Sequence, residues 1–167
     1  MVRRAAAVLA VVVLAGAGYA WWHARHGGEQ QAINGSLASL ASEFNASTTD
    51  GFGTVARAAQ LGSYFTDDVV VDLGPGTATI QGRETLVGMA ARLQPRTAAF
   101  RVELADVGVE LSEGEREADV TLTLSFIRRS IASDEESTDA REFALRMRRS
   151  DGRWRIARAT AIDTFRK

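Results

Sequence analysis

Asp72, which ends the valine run Val69-Val70-Val71, and Tyr64 just before that run are the side chains of this sequence best suited to chemistry. A carboxylate enclosed by apolar side chains holds its proton more tightly and can act as a base near neutral pH. The plainer reading is that Asp72 ends a strand and serves the following turn, while Tyr64 is half-buried with its hydroxyl satisfied. Little else is available. The chain has no cysteine, its two histidines are His23 and His26, and Lys167 is its one lysine against nineteen arginines. Beyond residue 28 this excludes Ser-His-Asp and Cys-His catalysis, histidine general-base chemistry and Cys- or His-based metal sites, and leaves Lys167 as the one lysine that could form a Schiff base. No cofactor and no metal is expected. The acidic group Asp134, Glu135, Glu136 and Asp139 lacks the turn glycine and ligand spacing of a calcium loop and reads as a solvated hairpin tip.

The charge balance points away from nucleic acid. Arg3, Arg4 and Arg25 lie in the first 28 residues, leaving 17 basic against 21 acidic residues in the remainder. Arg128, Arg129, Arg146, Arg148, Arg149, Arg153 and Arg155 fall on neighbouring strands, where a solvated outer face is a simpler reading than an anion-binding stripe.

Ala5 to Trp22 is an unbroken run of 18 apolar or small residues. As an α-helix it would rise about 27 Å, close to the ~30 Å hydrocarbon core, with Trp21-Trp22 at the interface. Arg3-Arg4 then stay inside and the domain lies outside: a single-pass anchor in the cell membrane. Ala15-Gly16-Ala17 also fits a signal-peptide cleavage pattern, which would release the domain as a secreted or periplasmic protein. Either way residues 1–28 are a targeting segment with a short linker, and residues 29–167 form one extracytoplasmic domain.

The elements that must position any site follow from periodicity. Ile33, Leu37, Leu40 and Phe44 mark a first helix between Glu29 and Asn45, and Val55, Ala58, Leu61 and Phe65 a second from about Thr54 to Tyr64. The valine run turns at Gly74-Pro75-Gly76 into a hairpin reaching Ile80. After Gly82 a third helix presents Leu86, Met89, Ala90 and Leu93, and Pro95 stops it. From Ala99 the period becomes two. Apolar residues alternate through Phe100, Val102 and Leu104, then jump phase to Val107, Val109 and Leu111, which predicts a β-bulge near Asp106 to Gly108. Val120 to Phe126 and Phe143 to Met147 continue the pattern, and Ser150-Asp151-Gly152 turns the chain into a last strand at Trp154 and Ile156.

This order, with Tyr64-Phe65-Thr66-Asp67-Asp68-Val69-Val70-Val71, the following Gly82 and the terminal Asp151-Gly152-Arg153-Trp154, resembles the nuclear transport factor 2-like fold, nearest its SnoaL-like branch. The resemblance covers about Glu29 to Phe165. It implies an α+β domain whose curved antiparallel sheet wraps about three helices into a cone, often with an internal pocket and often dimeric. Such a pocket would be lined by Phe44, Tyr64, Asp72, Leu86, Met89, Phe126, Met147 and Trp154, although Trp154 also reads as core packing. The family includes ketosteroid isomerase, scytalone dehydratase and non-catalytic, sometimes membrane-anchored, modules, so fold leaves function open. By resemblance the isomerase's base falls at Leu73, its oxyanion tyrosine near Leu40 and its protonated aspartate near Ala144. Asp72 is one residue off, on the other face.

The expectation is a membrane-tethered, non-catalytic domain that binds an apolar small molecule or a partner protein, such as a second copy or an envelope protein. A small isomerase, dehydratase or cyclase using Asp72 and Tyr64 is the catalytic alternative. A structural subunit of an envelope complex is the third.

Overall fold

The computed structural model describes residues 27–46, 51–92, 98–114, 116–130 and 136–162. The chain divides into two compact units, Met1–Ala32 and Ile33–Lys167. Of the first, residues 27–32 are described and are helical. Among the described residues no helix is long and apolar enough to cross a membrane. The segment Ala5 to Trp22 lies outside them.

The second unit contains a helix α1 (27–45, from Ile33 onward), α2 (Gly51–Gly62), β1 (Phe65–Asp72), β2 (Ile80–Gln81), α3 (Arg83–Arg92), β3 (Ala98–Leu111), β4 (Glu117–Ser130), β5 (Glu136–Ser150) and β6 (Arg153–Ile162). The strands form one sheet in the order β2-β1-β6-β5-β4-β3. This α+β arrangement is the one expected, with one correction to the sheet. Strand β1 pairs parallel with β6, so the sheet is mixed rather than wholly antiparallel. The two strands are joined through everything between them in sequence, and no local pattern announces such a pairing.

Two other expectations change. The turn-rich stretch after Asp72 leaves only two paired positions, Val70 with Gln81 and Val71 with Ile80, so the hairpin is short. Residues 136–140, expected in a loop, already belong to β5 and pair with β4 through Glu136 opposite Arg129. Asp134 and Glu135 lie outside the described residues.

The bulge appears where the phase jump puts it. The β3–β4 register shifts between Ala105 and Gly108, and Asp106 adopts a φ of 51°. Val102 and Leu104 lie opposite Phe126 and Leu124, while Val109 and Leu111 lie opposite Val120 and Ala118. Both apolar runs of β3 therefore share one face. At the other end Asp151 and Gly152 have φ values of 52° and 73°, a two-residue turn of the mirror-image type that matches strand twist.

The core lies on the inner face, where Val120, Leu122, Phe143, Leu145, Met147, Trp154 and Ile156 meet Ile33 and Leu37 of α1. Two contacts fix the helix across the sheet. Ser36 Oγ donates to the Trp154 carbonyl on β6 at 3.3 Å, and Asn45 engages Val102 on β3. Nine residues of helix rise about 13.5 Å and three strand spacings span about 14 Å, so α1 crosses the strands nearly at right angles.

Asn45 also blunts the edge of the sheet. Its Nδ2 donates to the Val102 carbonyl at 2.8 Å and its Oδ1 accepts from the Val102 N–H at 2.7 Å, as a neighbouring strand would. Asn45→Ala leaves both main-chain groups of Val102 without a protein partner. It is expected to lower stability by about 1–3 kcal/mol and to promote association through β3. Urea unfolding and light scattering check this, and an unchanged midpoint would contradict it.

The outer face is polar and charge-paired. Arg146 meets Asp119 at 3.0 Å, and Arg148 meets Asp68 at 3.4 Å and Glu117 at 3.9 Å. Hydrogen bonding and charge from Asp119 raise the proton affinity of the Arg146 guanidinium. These exposed pairs contribute little to stability. The pleat divides the arginines between the faces: Arg129 and Arg146 project outward, whereas Arg128 falls on the inner side.

Candidate binding cavity

Between the helices and the β3–β4 end of the sheet lies a half-enclosed cavity of about 210 Å³. Helix α1 contributes Leu40, Ala41 and Phe44, each following from the apolar stripe that begins at Ile33. Helix α2 contributes Ala58, Leu61 and Gly62, and Phe65 opens β1 at the cavity wall. Leu86 and Val87 come from α3, Val102 and Leu104 from β3, and Leu124 and Phe126 from β4. Every one of these side chains is apolar.

The position of the cavity follows from how far the helices extend over the sheet. Along α1 the stripe goes from Ile33 and Leu37, 0% and 3% exposed, through half-buried Leu40 to Phe44 at 42%. On β4 the same progression goes from buried Val120 and Leu122 to Phe126, 38% exposed. Phe44 and Phe126 therefore mark the mouth. The end of α1 is held against α2 there, since Arg57 donates through Nε to the Glu43 carbonyl at 2.9 Å and through Nη2 to the carbonyls of Glu43 and Phe44. A cation at the last carbonyls of a helix satisfies groups left without intrahelical donors.

Gly62 lets α2 and α3 approach closely. A Cβ there would lie 2.6 Å from Val87 Cγ2, so a side chain would force the two helices or Val87 apart. Nothing in the local sequence signals this contact.

Of the expected pocket residues, the structure brings Phe44, Leu86 and Phe126 into the lining. Met147 and Trp154, 1% and 4% exposed, are instead in the solid core below it. Met89 is 42% exposed, because α3 turns Leu86 and Val87 toward the cavity and leaves Met89 on its solvent side. Tyr64 is half-buried outside the lining, and its carbonyl accepts from the Ile156 N–H at 2.8 Å. Asp72 Oδ1 accepts from the Gly74 N–H at 3.0 Å and caps the turn. It pairs across β1–β6 with Thr160, whereas its buried neighbour Val71 pairs with Ala159. The pleat thus sends Asp72 to the face opposite Val71. Asp72 and Tyr64 do not meet in the cavity.

Sequence reasoning missed Leu61, Phe65, Val102, Leu104 and Leu124 as lining residues, although their apolar periodicity was a usable signal. Leu40, at the place where the resemblance puts an oxyanion tyrosine, does face the cavity, and it brings no hydroxyl. Among the described residues no group of three or more His, Cys, Asp or Glu could hold a metal ion.

Residues 55–160, more than half of the chain, match the SnoaL-like domain family. No curated protein matches the sequence significantly. Solved structures share the fold. A candidate scytalone dehydratase from Novosphingobium aromaticivorans is 15% identical with a TM-score of 0.67, over 84% of this chain and 87% of that one. An NTF2-like protein with a cystatin-like fold from the same organism is 14% identical with a TM-score of 0.67, over 87% and 88%. A protein of unknown function from Mycobacterium tuberculosis is 19% identical with a TM-score of 0.64, over 80% and 75%.

Proposed function

Since the chain belongs to the SnoaL-like domain family, we propose that its domain is a non-catalytic binder of a small apolar molecule, tethered outside the cytoplasm by the segment Ala5 to Trp22. The observation that carries this reading is the lining of the cavity. Among the described residues thirteen line it, and none of these has an acid, a base or a hydrogen-bonding side chain. General acid–base chemistry needs a titratable group within hydrogen-bond reach of the reacting atom, and the described residues of the wall supply none. An apolar wall favours an apolar guest by removing its surface from water.

The catalytic alternative would need Asp72 to act on a molecule in this cavity, whereas Asp72 ends β1 outside the lining and holds the following turn. An engineered cavity of about 150 Å³ in another protein takes up benzene, so a cavity of this size suits a substituted single ring or a chain of about eight carbons.

Native mass spectrometry of the membrane-extracted protein tests binding and tethering together. The expected result is a full-length chain retaining Met1 or Val2, released only by detergent, carrying a small apolar molecule. A soluble species beginning at Gly18 or Trp21 would show a cleaved signal peptide. Turnover of a candidate ligand that is lost in Asp72→Asn would favour the enzyme.

A further inference from the structure

Resting on the reading of the cavity as a binding site, we infer that its ligand is an amphipathic carboxylate, whose apolar body fills the cavity and whose anionic head meets Arg128 at the mouth. The argument begins with the pleat. Phe126 lines the mouth, and Arg128 follows it two residues along β4 on the same face, about 7 Å further out. An arginine side chain is long enough to span that distance, so its guanidinium can extend to the mouth. Arg128 is exposed and forms no ion pair or hydrogen bond with any described residue, unlike Arg129 next to it, which meets Glu136 at 3.3 Å on the outer face.

Among the described residues, the other charges around the mouth already have partners. Arg141 lies opposite Leu124, and Asp139 lies opposite Phe126, so both are on the cavity's side of β5. They neutralise each other across 3.6 Å. On the helical side, Arg57 is committed to the carbonyls that end α1, and Glu43 accepts from Gln60 Nε2 at 2.6 Å. Among the described residues, the remaining arrangement is an apolar cavity with one unpaired cation, Arg128, beyond its rim. A guanidinium binds a carboxylate through two parallel N–H donors, which a neutral or cationic head cannot use in the same way.

The test uses three probes with one body: 4-phenylbutyrate, 4-phenylbutan-1-ol and 4-phenylbutylamine. Each is titrated into the full chain in lipid nanodiscs by calorimetry, with empty nanodiscs subtracted. The expected order is carboxylate, then alcohol, then amine, the first two separated by about tenfold at low salt and by less as salt screens the exposed charge. Arg128→Ala should bring the carboxylate to within about twofold of the alcohol without changing alcohol binding, and Arg128→Lys should restore part of the preference. Asp139→Asn should tighten carboxylate binding, because it removes a like charge and frees Arg141.

Equal binding of carboxylate and alcohol by the wild-type chain overturns the inference and leaves the cavity as a binder of neutral molecules. A preference that survives Arg128→Ala and disappears in Arg141→Ala overturns the assignment to Arg128. If none of the three probes binds, the cavity reading fails and the inference fails with it.

Discussion

Ala58→Phe is expected to abolish uptake of an apolar probe, weakening it by more than tenfold, while the domain stays folded. Ala58 is 5% exposed and lines the cavity from α2. A phenyl ring added there enters space that is already open, and a cavity of about 150 Å³ accommodates a ring of that size. Filling a cavity commonly raises stability by about 0.5–2 kcal/mol, so the melting temperature should hold or rise as binding disappears. Asp72→Asn provides the contrast. It alters a turn outside the cavity and should leave binding within about twofold of wild type, its carboxamide oxygen still able to accept from Gly74. Calorimetry with 4-phenylbutan-1-ol and a thermal melt separate these outcomes. Normal binding by Ala58→Phe would place the ligand elsewhere.

Trp154→Ala is expected to lose about 3–5 kcal/mol of stability, the usual cost of truncating a buried aromatic. Trp154 is 4% exposed and belongs to the cluster that holds Met147 and Ile156 at 1% and 4%. Its carbonyl also receives the Ser36 hydroxyl, which anchors α1 over β6. The substitution spares that main-chain contact and opens a void beneath the helix. Total stabilities of small domains are about 5–15 kcal/mol, so much of the margin would be lost. Urea unfolding followed by far-UV circular dichroism measures the change, and Trp154→Phe should recover most of it. A loss below about 1 kcal/mol would mean that the indole is not part of the core.

Much of the fold is legible from residue order. Period-two alternation marks β3 to β6 because successive side chains on a strand must point to opposite faces. The phase jump between Leu104 and Val107 locates the bulge for the same reason, as the register shift between Ala105 and Gly108 shows. Asp151-Gly152 marks its turn because both positions have positive φ, which these residues tolerate best. Even the displacement of Asp72 from the inner face follows from parity with Val71.

The site is less legible. Periodicity says which face of an element is apolar, yet not how far along the sheet a covering helix stops. Met147, Trp154 and Phe126 therefore look alike in sequence, although the first two are in the packed core and the third stands at a mouth. That distinction depends on α1 crossing the strands, which Ser36 and Asn45 fix through partners 118 and 57 residues away.

What the order of residues determined by itself is local or subtractive. It settles most of the element types, the alternation of faces, the bulge and the absence of histidine and cysteine from residues 29–167, because each depends on neighbours in sequence or on composition alone. Only the tertiary structure decided that β1 lies parallel to β6, that Gly62 admits Val87, that the cavity opens at Phe44 and Phe126, and that Arg128 stands beyond it without a described partner. Each of these joins side chains from distant parts of the chain, and such contacts are chosen by the packing of the whole domain rather than by any segment within it.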